Sequence, residues 1–126
     1  LEAGVNWVLA RGVEAIQAHE RDLTALLLGG LAEISDVIVY GPRDPRLQTA
    51  TVSFNIATMP PDEVGLRLDE EYGILCRVGL HCSPATHRTI GTYPTGTVRF
   101  GLGAMNTRDE VLQAVEAVRA LATEGR

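Results

Sequence analysis

The spacing of apolar residues changes period along this chain, and that change constrains the fold more than any other feature. From Leu1 to about Ala32, the residues Val5, Val8, Leu9, Val13, Ile16, Leu23, Leu26, Leu27 and Leu31 recur mostly at steps of three and four. This predicts one long amphipathic helix or two in line. From Thr49 to Ile56 the period is two: Ala50, Val52, Phe54 and Ile56 alternate with Thr49, Thr51, Ser53 and Asn55. Strict alternation of β-branched and apolar residues predicts a half-buried strand. A chain that carries both patterns is expected to cover a sheet with helices.

The remaining segments extend this scheme. Gly29-Gly30 is expected to loosen the last turn of the first helix. Asp36–Tyr40 reads as a short buried strand closed by Gly41-Pro42. Pro60-Pro61-Asp62-Glu63 opens a helix, with proline and acids in its first turn, that runs to about Tyr72 and stops at Gly73. Ile74–Arg77 reads as a third strand feeding a loop of small and polar residues from Val78 to Ser83. Pro84–Ile90 suits a short helix ended by Gly91, Tyr93–Gly96 a turn, and Thr97–Gly101 a fourth strand. Thr107 and Glu110 have the spacing of a capping box ahead of the stripe Val111, Val115, Val118 and Leu121, a helix to about Ala122. The main order is α-β-β-α-β-β-α. The expected fold class is α+β, a small, mostly antiparallel sheet of about four strands packed against helices, with residues 1–126 forming a single domain.

Composition narrows the function classes. A chain of this length buries roughly two-thirds of its unfolded surface, so a core forms without disulfides or metal. Its apolar runs are short and broken by charge, which argues against a membrane span. Sixteen acidic residues outnumber eleven basic ones, for a net charge of −5, and no basic block offers a nucleic-acid surface. All eleven basic residues are arginine, so this chain alone completes no chemistry that needs a Schiff-base lysine. Two cysteines six residues apart and three histidines fit neither a zinc finger nor a secreted disulfide framework. The first residues carry no initiator Met and no export signal, so the expectation is a segment cut from a longer cytoplasmic protein.

The densest reactive cluster is Arg77-Val78-Gly79-Leu80-His81-Cys82-Ser83. Positive charge from Arg77 and His81 would favour the Cys82 thiolate, the nucleophilic form; the alternative is a small buried hydrophobe. Cys76, flanked by Ile74 and Leu75, reads as core. Arg99 interrupts the apolar run Val98-Arg99-Phe100. On an edge strand it would simply be solvated; inside a sheet its planar fork calls for a carboxylate or phosphate. His19, His81 and His87 have no metal-ligand spacing and read as polar loop or surface residues.

The run Tyr72-Gly-Ile-Leu-Cys-Arg-Val-Gly-Leu-His-Cys82, followed by Thr97-Val-Arg-Phe-Gly-Leu-Gly-Ala-Met-Asn-Thr107, resembles the C-terminal small domain of cysteine desulfurases. These are pyridoxal-phosphate enzymes of fold type I in the class V aminotransferase superfamily. The segments Ile38–Pro42, Val52–Asn55, Asp62–Val64, Gly12–Ile16 and His19-Glu20 extend the resemblance over essentially the whole chain. The short loop around Cys82 is closest to the group that includes the Suf-type enzymes. Two departures stand out: Gly79-Leu80-His81-Cys82 replaces the commoner Gly-His-His-Cys, and Thr92–Thr97 is slightly longer than the matching loop.

The resemblance implies that Cys82 attacks the sulfur of L-cysteine, giving L-alanine and a persulfide, from a loop that leaves it reachable and mobile. Arg99 would hold the substrate carboxylate, with Arg77 assisting. It also implies that the cofactor-binding large domain, with its lysine, lies outside this chain, so that no cofactor is bound covalently here and the isolated chain is inactive. The complete enzyme would be a homodimer serving a sulfur-acceptor protein. Selenocysteine lyase, another class V aminotransferase, and a non-enzymatic sulfur-carrier or interaction module remain alternatives.

Overall fold

The chain's structure, a computed structural model, describes residues 1–124. Its elements in order are α1 (Glu2–Arg11), α2 (Val13–Ala32), β1 (Val37–Tyr40), β2 (Thr51–Ile56), α3 (Pro61–Tyr72), β3 (Arg77–Gly79), α4 (Pro84–Ile90), β4 (Thr97–Gly101) and α5 (Arg108–Glu124). The four strands form one antiparallel sheet in the order β1-β2-β4-β3. Both the α+β class and the expected element order hold, with α4 as the short helix between β3 and β4.

The core lies between one face of this sheet and the helices. Val52, Phe54 and Ile56 of β2 and Val98 and Phe100 of β4 meet Leu23, Leu27 and Leu31 of α2, Val64 and Leu68 of α3, and Val111, Val115, Val118 and Leu121 of α5. Period two in β2 and period 3.6 in the helices thus select one buried set. The capping box at α5 forms in both directions: the Glu110 amide donates to Thr107 Oγ1 at 3.3 Å, and the Thr107 amide donates to Glu110 Oε2 at 2.9 Å.

Of the two arrangements expected for the first helical segment, two helices form: it breaks at Gly12, whose φ of 88° suits glycine, and α1 buries none of its residues. Three local expectations are corrected. Gly29-Gly30 does not loosen α2, which continues to Ala32. A Cβ on Gly30 would lie 2.7 Å from Val115 Cγ2, so this glycine lets α2 and α5 approach closely. β1 is an edge strand with Ile38 exposed and its other residues half-buried, rather than a buried strand. The third strand is Arg77–Gly79, not Ile74–Arg77. The Ile74 amide is already used, donating back to the Leu68 carbonyl at 2.8 Å to close α3, and pairing begins only after that closure.

Candidate active site

Register assembles the candidate site. Ser53 of β2 lies opposite Arg99 of β4, and Arg99 lies opposite Arg77 of β3. Residues directly opposite across antiparallel strands share a face, so Tyr40, Ser53, Arg99 and Arg77 form one row across the side of the sheet that turns away from the helices. β4 is an interior strand, and Arg99 is half-buried rather than a solvated edge residue. Neither Arg77 nor Arg99 forms an ion pair among the described residues. Two guanidiniums facing each other repel, and an anion between them relieves the repulsion while accepting their planar forks.

The next row pairs Gly79 with Thr97, and there β3 runs into the cysteine loop. The Ser83 amide donates to the Leu80 carbonyl at 2.9 Å, while His81 and Cys82 have φ of 50° and 60°. Positive φ at both central residues is the mark of a primed β-turn, usually built from Asn and Gly. With L side chains at both positions the backbone carries strain of about 1–2 kcal/mol per residue. Cys82 is exposed at this turn, as a nucleophile requires.

The turn is anchored from below. His81 Nε2 lies 3.1 Å from the carbonyl oxygen of Thr97 and 3.2 Å from its Oγ1. A Cβ on Gly96 would sit 2.1 Å from the Gly79 carbonyl oxygen, so glycine is the residue that lets these two segments touch. Asn55 of β2 accepts from the Val98 amide at 3.3 Å and donates to the Gly96 carbonyl at 3.0 Å, tying the start of β4 to the sheet. The loop is therefore reachable, as expected, but pinned on both sides.

His87 departs from its sequence reading, while Cys76 packs against the core as expected but only half-buried. His87 is 4% exposed and its Nδ1 lies 2.6 Å from Thr92 Oγ1, so it is a satisfied core residue rather than a surface one. His19 reaches the Asn106 carbonyl at 2.8 Å, joining α2 to the cap of α5. Burial, then the charge of Arg99, push the His81 imidazole below its ordinary pKa. The positive charge of this region thus rests on Arg77 and Arg99 rather than on His81. Cys76 packs half-buried against the core outside any strand, and burial followed by the Asp69 charge pushes its thiol pKa up. The signals missed in the sequence were Ser53, Asn55, Thr97 and the Gly79–Gly96 contact, all of which depend on register.

A cavity of about 360 Å³ lies among Tyr72, Leu75, Phe100, Asn106 and Glu110, at the far end of β4, and takes none of Arg77, Cys82 or Arg99. It is larger than a water site but has no reactive cluster. The open face of the sheet presents two guanidiniums that have no ion-pair partner among the described residues, and the exposed Cys82 lies in the turn that follows β3, on a small α+β domain.

This chain belongs to the aminotransferase class-V family, whose pattern matches residues 1–114. It is 35% identical over 127 residues to a probable cysteine desulfurase 2 of Mycobacterium leprae, covering all of this chain and 30% of that protein. It is 38% identical over 119 residues to a probable cysteine desulfurase of Halobacterium salinarum, covering 94% of this chain and 28% of that protein. Among solved structures, it superposes on the apo cysteine desulfurase of Thermococcus onnurineus NA1 with a TM-score of 0.90 and 30% identity, over 97% of this chain and 30% of that one. The cysteine desulfurase CsdA of Escherichia coli gives 0.82 at 26% identity, over 97% and 29%. The chain thus spans about 30% of the length of the relatives it matches.

Proposed function

We propose that this chain is the C-terminal small domain of a pyridoxal-phosphate-dependent cysteine desulfurase, and that Cys82 is the sulfur-accepting nucleophile. The observation that carries the reading is the row that places Arg99 beside Arg77, both without ion-pair partners among the described residues, one row from the strained turn that exposes Cys82. The relatives named cysteine desulfurase support it along nearly the whole chain.

In this reading Arg99 holds the carboxylate of L-cysteine bidentately and Arg77 adds charge at the same end. The Cys82 thiolate attacks the substrate sulfur. A sulfur–sulfur bond forms as the substrate's carbon–sulfur bond breaks, and the electron pair released stays with the substrate carbon, which takes a proton and becomes the methyl group of alanine. Cys82 is left as a persulfide. When bound, pyridoxal phosphate supplies the electron sink for that carbon. Without a lysine this chain cannot hold the cofactor covalently, and its thiol and guanidiniums suit a substrate's sulfur and carboxylate instead. The cofactor lysine then belongs to a large domain beyond these residues. The complete enzyme is a cytoplasmic homodimer that passes sulfur to an acceptor protein, and this chain alone is inactive.

The test is alanine formation from L-cysteine with pyridoxal phosphate present. The expected outcome is turnover by the complete enzyme, a loss of roughly 100-fold or more in its Cys82→Ala variant, and none by the 126-residue chain. Turnover by this chain alone, or full activity in Cys82→Ala, would overturn the proposal.

A further inference from the structure

The primed turn that carries Cys82 is unusual in its residues. Asn and Gly tolerate positive φ at low cost, yet here the two central positions are His81 and Cys82. Left to its backbone, such a turn relaxes, so something outside the turn must hold it. Gly79 is fixed below by its contact with Gly96, and Ser83 begins the passage into α4. At the tip, the contact back to the sheet is the His81 ring.

That ring is held from two directions. Nε2 faces the Thr97 carbonyl at 3.1 Å, and a carbonyl only accepts, so Nε2 carries the proton and the neutral ring is the Nε2–H tautomer. Thr97 is fully buried at the start of β4, which makes it a rigid acceptor. The other support is His87, whose ring centroid lies 5.8 Å from that of His81, tilted by 48°. His87 is in turn fixed by Thr92 at 2.6 Å, and its carbonyl accepts from the Thr92 amide at 2.9 Å.

We propose that His81 is a positioning residue: by donating from Nε2 to Thr97 while packed against His87, it holds the strained turn that carries Cys82 just beyond the Gly79–Thr97 row. The proposal rests on Cys82 as nucleophile for its purpose, but the geometry it asserts is measurable without activity. It assigns separate parts to the two histidines, with His81 bearing on the turn and His87 bearing on His81.

Amide hydrogen exchange of the 126-residue chain, read at Ser83, tests it through three variants. His81→Asn suits positive φ but is too short to reach Thr97; His81→Gln places a donor near the position of Nε2; His81→Ala removes both. Exchange at Ser83 is expected to speed up roughly tenfold or more in His81→Ala and His81→Asn and to return to within about threefold of wild type in His81→Gln. An Asn variant as protected as wild type, or a Gln variant no better than Asn, would overturn the proposal. Imidazole nitrogen resonances of the wild-type chain give a check free of any folding defect. The Nε2–H tautomer is expected, and an Nδ1–H ring would equally overturn it. In the complete enzyme the same series is expected to lower kcat with KM little changed, rescued by Gln. Failure there with the exchange pattern intact would count against Cys82 as nucleophile, not against the turn.

Discussion

The two faces of the sheet are made by the same strands from alternate residues, yet they are put together by different physics. On the covered face, Val52, Phe54, Val98 and Phe100 pack against helices, and Phe54 and Phe100 meet ring to ring at 5.0 Å. On the open face, Ser53, Arg99 and Arg77 stand in a row that repels itself and lacks ion-pair partners among the described residues. Burial of apolar area stabilises the first face; the second costs stability and is useful only when an anion arrives. The difference teaches where to look for function: at the positions where a fold tolerates an arrangement that packing alone would reject.

Substitutions should separate the two faces. The largest stability effect is expected on the covered side: Phe54→Ala opens a cavity in a fully buried site and should cost about 3–5 kcal/mol in denaturant unfolding of this chain. Were the loss below about 1 kcal/mol, the core would not be where the register puts it. On the open side, Arg99→Met should leave stability within about 0.5 kcal/mol or raise it, since it removes one of two facing like charges. The same change should cost the complete enzyme roughly 100-fold in kcat/KM for L-cysteine. A variant that unfolds instead would make Arg99 a structural residue.

A smaller contrast separates the cysteines. With an alkylating reagent near neutral pH, Cys82 is expected to react several-fold faster than Cys76, because Cys76 is half-buried and its thiol pKa is raised by that burial. Faster labelling of Cys76 would reverse the assignment of core and surface.

The smallest effect is in pH. His81 is pushed below the ordinary imidazole value of 6.5, so the unfolded chain takes up a proton that the fold resists. Its contribution to stability is complete above pH 6.5 and declines as the pH falls below it. His81→Gln should flatten that decline, and a slope unchanged in this variant would show that another group causes it.

Much of the covered face was legible in the sequence, because period two in β2 and period 3.6 in α2 and α5 report burial directly. The exceptions are instructive. The apolar stripe of α1 follows the same period as α2 but buries nothing among the described residues, since periodicity identifies a face without saying what covers it. The third strand was displaced because the hydrogen bond from Ile74 to Leu68 that closes α3 cannot be seen in apolar spacing. For the site, Cys82 and Arg99 stood out as anomalies of local pattern, and the family resemblance supplied their roles. The pairing of Arg99 with Arg77 needed the strand order, and the positive φ of His81 and Cys82 needed the backbone, because neither residue type signals such a turn.

The most direct test of the central claim is to locate the transferred sulfur. The complete enzyme is incubated with L-cysteine, trapped with an alkylating reagent, digested without reductant and examined by mass spectrometry. The expected result is one added sulfur on the peptide bearing Cys82 and none on the peptide bearing Cys76. A persulfide on Cys76, or alanine formed with no sulfur on Cys82 at any time during turnover, would contradict it.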